Sequence, residues 1–288
     1  MKSAMDIGSN SLRLLVTEEV NGVIRVVRQD VEEPRLGEGF REGILTEASM
    51  ERTLTALEQW KKEMVNMGMP HSPIIATSAV RDAANRDDFA ARVKARTGED
   101  LRILSGDEEA WYSFSGAVGG FDFPKEECLL IDIGGGSTEL AGFENGKLHG
   151  FSMPMGAVRW QVMNAKREEV KRMMATSITL CRFDNIKHFI GVGGTVTTVG
   201  AVLGGVTEYT RDAIHGKVLT YKELTELKYK LSSMTLEERK TVPGMPAKRA
   251  EIILYGMEIL EILFELLCIR ELYISDWGIL DGILSETL

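Results

Sequence analysis

One short segment occurs twice in this chain, and that repetition limits what it can fold into. Met5-Asp-Ile-Gly-Ser-Asn-Ser11 and Ile131-Asp-Ile-Gly-Gly-Gly-Ser137 agree at Asp, Ile, Gly and Ser, and Asp132 stands 126 residues after Asp6. Each copy follows one apolar run and precedes another. Two copies of strand, Asp-Ile-Gly turn and strand predict two halves of similar construction, and 288 residues suffice for two ordinary domains. Between the copies, Gly119-Gly120 and Pro124 loosen the chain. The expected domains are therefore 1–122 and 123–288, with a closing helix near Ile279–Glu286 able to return to the first.

Hydrophobic periodicity fills in both halves. Ser3–Ile7, Leu12–Glu19 and Val23–Val31 read as strands, with Asn21-Gly22 a hairpin signal. Thr46–Met67 reads as a long amphipathic helix, Ile74–Thr77 as a strand, Asp87–Thr97 as a helix and Leu101–Leu104 as a strand. Ser105-Gly-Asp-Glu108 fits a capping box opening a helix to about Val118. The pattern then restarts with strands at Cys128–Ile133, Thr138–Phe143 and Lys147–Met153, and helices around Val158–Asn164 and Glu168–Leu180. Phe189–Val192 is a strand feeding a helix from Thr195. The rest reads as helical, with one strand at Leu272–Ile274. The fold class is α/β.

Composition excludes several functions. A net charge of −9 argues against broad nucleic-acid binding, which needs a basic face. A small anion is still admissible, because backbone N–H groups, helix N-termini and a few arginines can hold one. Cys128, Cys181 and Cys268 are far apart and read as buried, reduced thiols of a cytoplasmic protein. The four histidines show no zinc spacing. Phe189–Thr207 lacks charge but carries six glycines, so it reads as strand, turn and helix rather than a membrane span. In Ala250–Cys268 the residues Glu251, Glu258, Glu261 and Glu265 fall on one helical stripe, which predicts a buried helix with one wet edge.

The chemistry concentrates in the loops. Ser9, Asn10 and Ser11 supply side-chain donors on a turn whose small residues let the backbone approach a phosphate. Gly134, Gly135, Gly136 and Ser137 form a second such turn, and three successive glycines exceed what a simple turn needs. Asp132 ends a buried strand with Glu139 seven residues on, a spacing that suits Mg²⁺ bound by carboxylates and water. Gly193, Gly194 and Thr195 open a helix directly after a strand and aim N–H donors outward. Arg13, Arg35, Arg81 and Arg249 are further candidates for phosphate contact. Glu109 stands one position past the capping glutamate. Local sequence alone reads it as a dipole-favoured residue on a solvated face, although a carboxylate there could also deprotonate a water. Each loop taken singly is also good turn chemistry.

Taken in order, Asp6–Ser11, Arg35–Gly39, Ala76–Asn85, Ile103–Ala110, Leu130–Leu140, Met155–Arg159, Gly191–Thr195, His215–Thr220 and Lys248–Ile252 resemble the exopolyphosphatase / guanosine-pentaphosphate phosphohydrolase family over nearly the whole chain. The resemblance implies two ribonuclease-H-like domains of the actin / heat-shock chaperone / sugar-kinase superfamily, with a phosphate cleft between them. It also implies a catalytic base at Glu109 and a second catalytic acidic position at Glu139. Asp132 and Glu139 would be metal-associated, Arg81 would contact phosphate, and both Asp-Ile-Gly loops would bind it. This chain departs from the family at Trp111-Tyr112 and Leu280-Asp281, where basic residues are more usual.

The expected activity is removal of the terminal phosphate of polyphosphate by in-line attack of water with Mg²⁺, or the same reaction on guanosine pentaphosphate. Rival readings are a kinase and a non-catalytic sensor of guanosine tetra- and pentaphosphate. The expected partners are that substrate and a second copy of the chain as a homodimer, with neither nucleic acid nor membrane.

Overall fold

The structure, a computed structural model, describes residues 1–20, 23–40 and 43–286. Its first half runs β1 (Lys2–Ile7), β2 (Leu12–Val20), β3 (Val23–Glu32), α1 (Glu47–Asn66), β4 (Ile74–Ala76), the single turn α2 (Ser78–Arg81), α3 (Arg86–Thr97), β5 (Leu101–Ile103) and α4 (Gly106–Gly119). The second runs β6 (Cys128–Ile133), β7 (Thr138–Glu144), β8 (Lys147–Met153), α5 (Ala157–Met163), α6 (Arg167–Ile178), β9 (His188–Val192), α7 (Gly193–Leu203), α8 (Arg211–Ile214) and β10 (Val218–Thr220). It ends with α9 (Tyr221–Ser232), α10 (Leu236–Lys240), α11 (Ile253–Leu266), β11 (Glu271–Ile274) and α12 (Ile279–Glu286). The Asn21-Gly22 signal lies outside the described residues, although Val20 and Val23 on either side of it pair across an antiparallel ladder.

Both sheets are mixed and wound alike. The first has the order β3-β2-β1-β4-β5 and the second β10-β11-β9-β6-β7-β8. Read from the antiparallel end, β8-β7-β6-β9-β11 repeats β3-β2-β1-β4-β5, with β10 added at the edge. This is the doubled ribonuclease-H-like architecture of actin-like proteins. Register carries the repeat down to single residues: Asp6 pairs with Arg13 across β1 and β2, while Asp132 pairs with Glu139 across β6 and β7. The sequence missed β10, because three residues before a capped helix give no period to read.

Each sheet buries one face under its own helices. Leu54, Leu57, Trp60 and Met64 of α1 cover Met5, Leu12, Leu14 and Val16, and α11 lies against α5, α6, α7 and α9 over the second sheet. The remaining faces are covered by exchange. Helix α4 follows β5 but packs on the second sheet, where Ala110, Phe114 and Ala117 meet Leu130, Ala141 and Ile190. Helix α12 follows β11 but packs on the first, where Ile279, Ile283 and Leu284 meet Ala4, Leu15 and Ile75. A cut at 122/123 thus leaves each half holding the helix that covers the other's sheet.

The exchanged helices cross where neither has a side chain. A Cβ on Gly116 would lie 1.9 Å from Gly278 O, and one on Gly282 would lie 2.1 Å from Tyr112 O. Only glycine permits backbones this close.

Two expectations need correction. Cys128 is buried, but Cys181 is half-buried and Cys268 exposed, the latter because it follows the end of α11 in the left-handed region at φ 53°. The glutamate stripe is less wet than expected. Glu258, Glu261 and Glu265 accept ion pairs from Arg167 and Lys171 of α6 and Lys228 of α9, so the edge is a charged seam between helices. No helix among the described residues is long and apolar enough to cross a membrane.

Candidate active site

The repeated turns have the same internal bond: Gly8 N–H donates to Ser11 O at 2.9 Å, and Gly134 N–H to Ser137 O at 3.0 Å. They face each other directly. A Cβ on Gly135 would lie 3.0 Å from Ser9 Cβ, and one on Gly136 would lie 2.6 Å from Ser9 Oγ and 2.5 Å from Ser78 Oγ. Carbonyls of the second turn are engaged behind it: Ala157 N–H donates to Gly134 O, and Val158 and Arg159 N–H to Gly135 O. Arg159 Nε donates to Gly136 O at 2.6 Å and its Nη2 bridges to Asp82. These bonds to α5 and Arg159 fix the turn in place against the first loop.

Between the turns lies a cavity of about 60 Å³, room for a group about the size of two waters or one phosphoryl. Its walls include Asp6, Ser9, Asn10, Ser11, Arg13, Glu109, Asp132, Gly134, Gly135, Ser137, Gly194, Thr195 and Arg249. Gly193 abuts Asp132 Oδ1 at the start of α7 with φ +87°, so the positive end of that helix points at the same place. The structure thus brings most of the expected residues together. Five do not line the cavity. Gly136 is closed off against Ser9 and Ser78, Gly193 lines a neighbouring groove, Arg81 lies behind Glu109, Glu139 lies behind the wall, and Arg35 lies outside, bonded to Glu251 at 2.8 Å.

Glu109 is 7% exposed, which overturns its reading as a solvated helix-start residue. The cause is tertiary: the exchange carries the first turn of α4 into the cleft. Arg81 Nη1 donates to Glu109 Oε2 at 2.6 Å and to Leu104 O at 3.2 Å. Burial nevertheless pushes the Glu109 carboxyl up to about 7, outweighing Arg81, with Asp132 and Asp6 adding to the rise. Asp6 is pushed to about 6, again first by burial. Asp132 is raised by burial while accepting from Ser113 Oγ at 2.8 Å. Glu139 is raised well above the carboxylate range by burial and then by Glu109 and Asp132, and accepts from Ser152 Oγ at 2.7 Å.

Asp6, in the first Asp-Ile-Gly loop, is a further wall residue beyond the candidates named from the sequence. The available signal was its alignment with Asp132. Asp6 Oδ1 is buried with no hydrogen-bond partner among the described residues. Among those residues no three His, Cys, Asp or Glu side chains converge as a closed metal cage. An all-oxygen pair with an orphaned buried carboxylate oxygen does fit a cation such as Mg²⁺, which keeps most of its waters.

Residues 15–288 match the Ppx/GppA phosphatase family. This chain belongs to that family. It is 30% identical to Exopolyphosphatase 2 of Mycobacterium tuberculosis over 307 residues, covering 98% of this chain and 96% of that protein. The Bifunctional 3-dehydroquinate synthase/phosphatase of Fusobacterium nucleatum is 32% identical over 288 residues, covering 91% of this chain and 42% of that protein. The solved Ppx/GppA enzyme of Aquifex aeolicus superposes with a TM-score of 0.79 at 30% identity, covering 99% of this chain and 98% of that one.

The departures from the family pattern acquire a structural meaning. Tyr112 is buried in the helix exchange with Arg102 over its ring at 5.2 Å. Leu280 is buried in the same cluster. Asp281 accepts from Gly278 N–H and from Arg211 Nη1, each at 2.8 Å, and Arg211 lies over Trp277 at 5.0 Å. The positive charge beside α12 therefore comes from Arg211.

Proposed function

We propose that this phosphatase is a phosphoanhydride hydrolase that removes the terminal phosphoryl group of inorganic polyphosphate. The supporting observation is the shared cavity: both Asp-Ile-Gly turns, the start of α7 and Glu109 face one phosphoryl-sized space. The phosphoryl oxygens sit against the turn N–H groups, the hydroxyls of Ser9, Ser11 and Thr195, and Arg13 and Arg249. Glu109, aimed by Arg81 and poised near neutrality, takes the proton of the attacking water. Asp6 and Asp132 would hold Mg²⁺, which when bound offsets charge on the phosphates. Glu139, turned to Ser152, acts on this site through its charge. No residue here needs to form a covalent intermediate.

A second substrate reading is favoured by the adjoining groove. A cleft of about 820 Å³ opens from the cavity and shares Arg13, Gly194, Arg249 and Ile279 with it. Its walls carry Asp30, Glu32, Glu33, Asp276 and Asp281 against Arg13, Arg52, Arg211, Lys248 and Arg249, with Leu14, Leu15, Val31 and Ala247 between. Balanced charge and apolar surface suit a compact, nucleoside-bearing substrate such as guanosine pentaphosphate better than a long polyanion. The test compares phosphate release from short polyphosphate, long polyphosphate and guanosine pentaphosphate, with Mg²⁺ or with chelator. Release from none of the three in Mg²⁺ would remove the hydrolase reading.

A further inference from the structure

Glu33 occupies the junction of groove and cavity, just after β3, where no motif marks it. Its carboxylate bridges the two halves of the protein. Glu33 Oε1 is 3.5 Å from Arg249 Nε of the second half and accepts from Asn10 Nδ2 of the first loop at 3.4 Å. Its carbonyl accepts from Lys248 Nζ at 3.1 Å. The side chains of Glu33 and Arg249 are 11% and 12% exposed, so water screens this pair poorly. The fit is incomplete. Both side-chain contacts are long, and the donor Arg249 Nε has no hydrogen-bond partner among the described residues. Arg249 also donates to Ser11 Oγ at 3.1 Å, which aims its guanidinium into the cavity. An oxyanion on Glu33 and an oxyanion of a phosphate therefore address the same buried donors.

We propose that Glu33 is a resident counter-anion that competes with a phosphate oxygen for Arg249 and Asn10, so that it sets how tightly this cleft binds phosphate. The proposal rests on the cleft being a phosphate site. Arg249 buried without Glu33 would be an uncompensated charge, which is costly to the folded protein. A phosphate would relieve that cost. Glu33 thus gives up phosphate affinity for stability of the two-half assembly.

The test is Glu33→Gln, with inorganic phosphate and pyrophosphate as probes in calorimetry and thermal unfolding, and phosphate release from short polyphosphate for KM and kcat. Binding of inorganic phosphate should tighten about tenfold, the scale of one poorly screened charge pair. KM should fall with it, the melting temperature without phosphate should drop, and saturating phosphate should recover most of that drop. If E33Q does not fold, Glu33→Asp carries the test. Its shorter arm withdraws the charge from both partners, and a smaller tightening is expected. Unchanged or weakened phosphate binding in the variant that folds overturns the proposal. If the wild type binds and hydrolyses normally in that experiment, only this inference is lost. A wild type that neither binds phosphate nor releases it sinks the functional reading as well.

Discussion

Half-buried Arg81 donates to buried Glu109 at 2.6 Å, yet the glutamate remains near neutrality at about 7. In water such a partner would hold a carboxylate low. Here burial opposes it and Asp132 and Asp6 add repulsion. The pair fixes the orientation of Glu109 while its surroundings keep it basic enough to accept a proton, a combination found where general bases work.

Glu109→Gln removes the base and keeps the shape. Turnover should fall by about 10²–10⁴, while phosphate binding by calorimetry should persist. Undiminished turnover would remove Glu109 from this role.

The same carboxyls make stability depend on pH. Folded Glu109 and Asp6 sit at about 7 and about 6 against 4.5 and 3.8 for the ordinary groups. Between those limits the folded state binds more protons than the unfolded chain. Stability from these groups is fully present below the unfolded values and is lost as pH rises through about 6 and then about 7. Thermal unfolding across that window should show the wild type losing more stability than the Asp6→Asn variant. In the same window kcat/KM should rise with pH, because Glu109 must be deprotonated to act.

Asp6→Asn should separate stability from activity. Removing a buried charge whose Oδ1 lacks a partner should raise the melting temperature in chelator. Phosphate release should fall roughly 10–100-fold, the range seen when metal surroundings are cut, and stabilisation by added Mg²⁺ should shrink. A less stable variant with full activity would contradict the placement of Asp6 in the site.

Gly116→Ala tests the helix exchange. The new methyl would meet Gly278 O at 1.9 Å, backbone that cannot rotate away. Urea unfolding should show a loss of about 1–3 kcal/mol or somewhat more. A variant as stable as the wild type would mean that α4 and α12 can part without cost.

Arg159→Lys tests the support of the second turn. Arg159 joins Gly136 O to Asp82, and lysine can keep only one of these contacts. KM for phosphate release should rise about tenfold as the turn loosens, with a smaller change in the melting temperature.

Local chemistry and repetition let the sequence alone determine the two-fold design, most strand and helix positions, and the glycine turns. Asp-Ile-Gly recurs because an extended strand must turn sharply into the next one, and the small residues after it let the two turns meet closely. The capping box at Ser105 and Glu108 was readable for the same local reason. Glu109 was not readable from its neighbours, since its burial depends on α4 crossing to the second sheet. Asp6 became a wall of the shared cavity only when the halves closed and placed it near Asp132. Glu33 had no local signal, because Asn10 and Arg249 meet it from segments 23 and 216 residues away in the chain. Turns and caps are set within a few residues. Burial, ion pairing and a shared cavity are set by which surfaces the folded chain brings together.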